Sequence, residues 1–160
     1  MSSRNDRRAP PRSEWSALIP HAGTMCLLDG LLSWTSDEIV CRAGNHADPA
    51  HPLRLADRLP AACALEYASQ AMALHGALCA PSGAGPTPGF LASARGVRLH
   101  VQCLDGAPGP LRVRARRLAG DAGQAMYGFE LHDARERLLV DGRATVLFGA
   151  QLMVPAEHAP

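Results

Sequence analysis

The feature that most limits the fold is a run of twenty mainly apolar residues, 61–80, which contains one acidic side chain, Glu66. Because such a run is apolar nearly all round when it is helical, the rest of the chain has to surround it. A carboxyl group placed there must be solvated, paired or used in chemistry. Gln70 follows one helical turn later, on the same face. The run reaches membrane-spanning length, but Glu66, Gln70 and His75 favour a buried core helix.

β-Strands are predicted on both sides of this helix. We expect the helix to begin near Pro60, because the missing N–H of a proline needs no partner in a first turn. A stretch rich in Pro, Gly and Ser predicts a loop over residues 81–88. An apolar segment at 25–34 precedes the helix, and further segments predict strands at 38–43, 90–101, 111–118, 125–131 and 138–148. One central helix wrapped by a curved antiparallel sheet satisfies this order, which predicts an α+β fold.

Length and composition favour one domain. We expect it to span residues 14–150, between a basic disordered tail at 1–13 and a C-terminal tail at 151–160. The formal net charge of +1 argues against a nucleic-acid-binding surface over the whole protein. Five cysteines without a Cys-x-x-Cys pair indicate reduced thiols, and seven histidines give no pair at metal-ligand spacing, so no metal site is predicted. No apolar stretch follows the basic start, so we expect a cytoplasmic protein without a signal peptide.

Several motifs resemble those of one enzyme family. Residues 18–21 read Leu-Ile-Pro-His and precede Met-Cys-Leu-Leu-Asp at 25–29. Residues 58–61 read Arg-Leu-Pro-Ala, residues 66–76 read Glu-Tyr-Ala-Ser-Gln-Ala-Met-Ala-Leu-His-Gly, and residues 142–146 read Gly-Arg-Ala-Thr-Val. These motifs resemble the β-hydroxyacyl-(acyl carrier protein) dehydratases, which have the hotdog fold. The similarity is greatest to the branch found in aryl polyene gene clusters.

The resemblance implies that the chain removes water from a 3-hydroxyacyl thioester on an acyl carrier protein. In that family a histidine takes the Cα proton and a carboxyl group handles the departing hydroxyl, which requires groups suited to proton transfer near neutral pH. Glu66 would be the carboxyl group, and His46 or His51 the histidine. No metal or organic cofactor is needed. The two groups usually come from different subunits, which implies a homodimer or a heterodimer with a paralogous hotdog dehydratase.

The resemblance also places substrate-binding groups on the helix. Pro60, Ala61 and Ala62 stand where the family uses a backbone N–H to polarise the thioester carbonyl. Gln70 and Ser69 are expected to line the acyl site. We expect His75 at the helix end, where the helix dipole favours a cation.

Other functions stay open at this point. A hotdog acyl thioesterase would use a carboxylate on the same helix to activate water. The chain could instead be a non-catalytic or partly catalytic partner subunit of a heteromeric dehydratase. Glu66 could also be structural and pair with an arginine such as Arg58.

A basic strand face has two interpretations. Arg112, Arg114 and Arg116 alternate with apolar residues, so one face of that strand is buried and the other is cationic. The face is either an ordinary solvated surface or a docking patch for an acidic carrier protein.

Overall fold

The structure, a computed structural model, describes residues 10–19, 23–82 and 89–149. Residues 1–9 and 151–160 of the predicted tails lie outside the described residues, as does residue 150 of the predicted domain. So do Pro20 and His21 of the N-terminal motif and residues 83–88 of the predicted loop. A short helix, α1, forms at Arg12–Trp15 and buries Trp15, so its first two residues belong to the segment predicted as a tail.

Six strands in the described part of the chain form one antiparallel sheet. They are β1 (Gly30–Trp34), β2 (Glu38–Ala43), β3 (Gly89–Leu99), β4 (Leu111–Gly120), β5 (Gln124–His132) and β6 (Leu138–Phe148). Their order across the sheet is β1-β2-β4-β5-β6-β3, so β1 and β3 are the edges. With the helix described next, this sheet confirms the predicted α+β architecture.

The central helix, α2, spans Ala64–Cys79 and follows a 3-10 turn at Ala61–Cys63. It therefore starts its α-helical part four residues after Pro60, because the first turn is tighter than an α-helix. At about 1.5 Å per residue its sixteen residues are roughly 24 Å long. The helix packs against strands β2 to β6 and buries most of its side chains, which confirms that the sheet surrounds it. No helix in the described part of the chain is long and apolar enough to cross a membrane.

Side chains on β4 alternate between the core and the opposite face, as the sequence predicts, and the structure shows the same alternation on β5. Leu111, Val113 and Ala115 are buried against the helix side, while the arginines between them face outward. On β5, Tyr127 and Phe129 are buried in the same way. The sheet therefore has an apolar inner face, which covers α2, and a polar outer face.

The far end of α2 lies directly against the last strand. A Cβ atom added to Gly76 would come within 2.5 Å of the Phe148 ring. Glycine at this helical position costs helix propensity, but it allows the aromatic ring to lie on the helix backbone.

His75 lies in the core, which corrects the prediction of a cation at the helix end. The ring is fully buried, its Nε2–H donates to the Thr35 carbonyl oxygen at 2.8 Å, and its Nδ1 accepts from the Tyr127 hydroxyl at 2.8 Å. Burial lowers the pKa of His75 below its ordinary value, so the ring is neutral. The prediction failed because α2 continues past His75 to Cys79 under the sheet.

Candidate active site

Glu66 and Gln70 lie on the same face of α2, as their spacing predicts. The Gln70 side chain donates from Nε2 to Oε1 of Glu66 at 3.0 Å. Gln70 is fully buried, whereas Glu66 is half-buried. The amide therefore fixes one oxygen of a carboxyl group that stands at the margin of the core.

Gln70 also ties the helix to the segment before β1. Its Oε1 accepts from the Leu27 amide at 2.9 Å, and its Nε2 donates to the Met25 carbonyl oxygen at 2.6 Å. Both amide hydrogens and the amide oxygen are thus engaged within the chain, and one of these contacts is with Glu66. Ser69 turns its hydroxyl back to the Glu66 carbonyl oxygen at 3.0 Å.

Arg58, named as an example of a structural partner for Glu66, has a different partner in the structure. Its guanidinium contacts Asp105, with 2.9 Å between Nε and Oδ2. Asp105 also accepts from the Leu59 amide at 3.0 Å. This ion pair connects the residues just before the helix to the segment between β3 and β4.

His51 is buried and takes part in a relay of hydrogen bonds that the sequence did not indicate. The Leu53 amide donates to its Nδ1 at 3.1 Å, so the neutral ring carries its proton on Nε2 and donates to the Tyr67 hydroxyl at 2.9 Å. That hydroxyl donates in turn to Oδ1 of Asn45 at 2.8 Å. Burial and then the charge of Arg54 lower the pKa of His51. Both ring nitrogens are therefore engaged within the chain.

His46 has a different hydrogen-bonding state. Only 3% of the residue is exposed, and its Nε2 lies 2.9 Å from the Ala107 carbonyl oxygen. Because a carbonyl oxygen only accepts, Nε2 carries the proton and Nδ1 of the neutral ring has a lone pair. Among the described residues this buried Nδ1 has no hydrogen-bond partner. Of the two candidate histidines, only His46 thus has a ring nitrogen without a hydrogen-bond partner among the described residues.

The helix start offers fewer free amides than expected. Pro60 forms a β-bridge with Cys103, and the Ala61 amide donates to the Gln102 carbonyl oxygen at 2.9 Å. Ala62, in contrast, is exposed at the first turn. Of the two amides predicted to face a thioester carbonyl, the one on Ala61 is therefore already engaged.

The three arginines predicted as a docking patch lie together on the outer face of β4. Arg112 pairs with Glu136 at 3.1 Å, and Arg114 pairs with Glu38 at 2.7 Å. Arg116 forms no ion pair among the described residues and is exposed. Two of the three charges are thus partly neutralised on the protein surface.

Four depressions in the described part of the chain lie away from the predicted acid–base groups. None of the four found among the described residues is lined by Glu66, His46 or His51. Three of them lie along the outer face of the sheet, and one lies beside α1.

The long helix, the sheet that covers it and the strand order define a hotdog-fold protein. Residues 13–154 match the model of the ApeP-like family, described as ApeP dehydratase. The chain therefore belongs to the ApeP-like dehydratase family, which confirms the resemblance drawn from its motifs.

Solved structures agree on the fold. The dehydratase heterocomplex ApeI:P from Xenorhabdus doucetiae is similar with a TM-score of 0.73 and 21% identity, over 90% of this chain and 94% of that chain. The thioesterase HI1161 from Haemophilus influenzae gives 0.65 and 13%, over 96% and 99% of the two chains. A mutant of the thioesterase PA1618 from Pseudomonas aeruginosa gives 0.63 and 10%, over 89% and 96%. No curated protein sequence matches the chain. At these identities the structural similarity shows the fold alone.

Proposed function

We propose that this chain is a 3-hydroxyacyl-(acyl carrier protein) dehydratase subunit that acts in fatty-acid-like or aryl polyene biosynthesis. The observation that carries the proposal is the carboxyl group of Glu66, held by the buried Gln70 amide on the central helix of a dehydratase-family chain. A carboxyl group that is held in one orientation at the edge of an apolar core suits proton transfer to a leaving hydroxyl.

The reaction needs one base and one acid. The imidazole Nδ1 of His46 takes the Cα proton of the 3-hydroxyacyl thioester. The C–O bond at C3 breaks, and the departing hydroxyl takes the carboxyl proton of Glu66 and leaves as water, while the Cα–C3 double bond forms. The proton on the imidazole then returns to the carboxylate. The Ala107 carbonyl oxygen accepts from Nε2 of His46, which leaves the lone pair on Nδ1. This unpartnered lone pair supports His46 over His51 as the base.

A second hotdog subunit completes the site in this proposal. The edge strand β3 presents three exposed large apolar side chains, Phe90, Leu91 and Leu99, which are 42%, 41% and 50% exposed. Exposed apolar edge strands pair readily with another chain. The ApeI:P structure is a heterocomplex, which favours a paralogous dehydratase over a second copy as the partner.

The outer face of β4 remains our proposed contact with the acidic carrier protein. Arg112, Arg114 and Arg116 lie in line on one strand face, and surface charges of one sign steer an oppositely charged partner. Replacing Arg112 with Glu should raise KM for a carrier-bound substrate and leave KM for the same acyl group on pantetheine unchanged. An equal rise for both substrates would argue against docking at this face.

The test is an assay of the chain, alone and together with its hotdog partner, on a 3-hydroxyacyl carrier protein. The proposal predicts the 2-enoyl product and no release of free thiol. Release of the carrier thiol without an enoyl product would instead identify a thioesterase. If the partner alone dehydrates the substrate as fast as the complex does, the chain is a non-catalytic subunit.

The choice of histidine is tested separately. Replacement of His46 by Gln should remove most of the turnover, whereas replacement of His51 by Gln should lower the stability and leave more of the turnover per folded molecule. The reverse order would move the base to His51.

A further inference from the structure

The outer face of the sheet, on the side away from α2, holds a depression of about 620 Å³. Small-molecule sites typically enclose about 300–1,000 Å³. Five arginines line this depression: Arg95, Arg98, Arg114, Arg116 and Arg143. Arg114 and Arg116 also belong to the strand face that we propose for carrier-protein docking, whereas the proposed acid–base steps use no residue of this depression.

Three of these arginines form one row across four strands. Arg116 on β4 is the register partner of Gly128 on β5, Gly128 is the partner of Arg143 on β6, and Arg143 is the partner of Arg95 on β3. Neighbouring strands lie about 4.8 Å apart, so Arg116 and Arg143 flank Gly128 with their backbones roughly 10 Å apart. We call these four residues the arginine row.

Two carboxylates, Glu130 and Asp141, also line the depression, so five arginines stand against two acids and the lining is cationic. Arg98 pairs with Asp141 at 2.9 Å and Arg114 pairs with Glu38 at 2.7 Å, but Arg95, Arg116 and Arg143 form no ion pair among the described residues. Arg143 and Arg95 are also direct cross-strand partners, and like charges in that position destabilise a sheet. The row therefore costs folding stability unless an anion occupies it.

Because Gly128 has no side chain, the sheet surface between Arg116 and Arg143 is open. Glycine inside a strand weakens the sheet and often marks a position where a ligand approaches closely. A Cβ atom at Gly128 would meet only the Leu118 side chain, at 3.8 Å, which is an ordinary contact. Gly142 differs, because a Cβ atom there would lie 3.0 Å from the Phe129 ring. Packing thus explains the glycine at 142 and does not explain the one at 128.

We propose that the arginine row binds the phosphate group of a small soluble phosphorylated ligand, seated over Gly128. Guanidinium groups bind phosphate oxygens through two parallel hydrogen bonds, and Arg116 and Arg143 approach from opposite sides. Leu118 and Leu138, which also line the depression, provide apolar contact for an organic part of the ligand. The site is a binding function additional to dehydration.

The test is titration of the full chain with inorganic phosphate and diphosphate by calorimetry, at constant ionic strength. We expect saturable binding and a rise in Tm on binding. Replacing Arg143 with Gln should weaken binding at least about tenfold, because a charge-assisted hydrogen bond is lost. Replacing Gly128 with Val should weaken it similarly without unfolding the protein, because the new side chain has room. Arg112→Gln is the matched control, since Arg112 lies on the same face, outside the depression, and pairs with Glu136.

A second measurement separates a binding role from a structural one. In phosphate-free buffer Arg143→Gln should keep or raise Tm, because it removes a like-charge contact with Arg95. The proposal is overturned if neither anion binds saturably, if Arg112→Gln weakens binding as much as Arg143→Gln does, or if Gly128→Val leaves the affinity unchanged.

Discussion

Replacement of Gln70 by Leu tests the structural basis of the site, because Gln70 connects Glu66 with the segment before β1. The change keeps the side-chain size but removes three hydrogen bonds, at 2.9, 2.6 and 3.0 Å. The Leu27 amide loses its partner in the core, which costs about 1–3 kcal/mol. The Met25 carbonyl and the Glu66 carboxyl are half-buried, so water offsets part of their loss. We expect the free energy of unfolding to fall by about 2–4 kcal/mol.

Urea denaturation of the wild type and the variant measures this change in the free energy of unfolding. In thermal unfolding the Tm should fall by about 5–15 °C for a domain of this size. Ser69→Ala is the control, because among the described residues the Ser69 hydroxyl bonds to the Glu66 backbone carbonyl alone. Its loss should change stability by no more than about 0.5 kcal/mol. A loss below about 1 kcal/mol for Gln70→Leu would show that these hydrogen bonds do not anchor the helix.

Three further changes test other parts of the structure. Gly76→Ala should lower the free energy of unfolding by about 1–3 kcal/mol because its Cβ would overlap the Phe148 ring, whereas Gly106→Ala, with open space, should be neutral in the same urea titration. Tyr67→Phe should cost about 1–3 kcal/mol, since it leaves His51 and Asn45 without their shared hydroxyl; unchanged stability would argue against the relay. Burial holds the pKa of His75 below its unfolded value, so the contribution of the neutral ring to stability is complete above about pH 6.5 and is lost as the pH falls. The Tm of the wild type should therefore decline from pH 8 to pH 5, and that of His75→Gln should decline less. A flat profile would contradict a neutral buried ring.

The overall architecture could be predicted because its signals are local. Alternation of apolar residues and arginines along β4 places one face inside and one outside, and it needs no knowledge of other strands. The spacing of Glu66 and Gln70 fixes their common helix face in the same way. Both features hold in the structure because backbone periodicity alone determines them.

The surroundings of the histidines depend on contacts that are distant in sequence. The partner of His75, Tyr127, is 52 positions away, and the Ala107 carbonyl that holds His46 is 61 positions away. A pattern within one segment carries no information on such pairs. The same holds for the arginines of β4, whose ion pairs and register depend on how neighbouring strands align. Asn45 and Tyr67 stand next to predicted site residues, and that adjacency was their only sequence signal.

The most direct test of the central claim is the turnover of 3-hydroxyacyl carrier protein by the complex of this chain with its hotdog partner, when the chain carries Glu66→Gln. The amide oxygen can still accept from Gln70, so the variant should fold with the wild-type Tm. Loss of a general acid predicts a fall in kcat of about 100-fold or more. A folded variant complex that turns over at the wild-type rate would contradict the assignment of Glu66 as the proton donor.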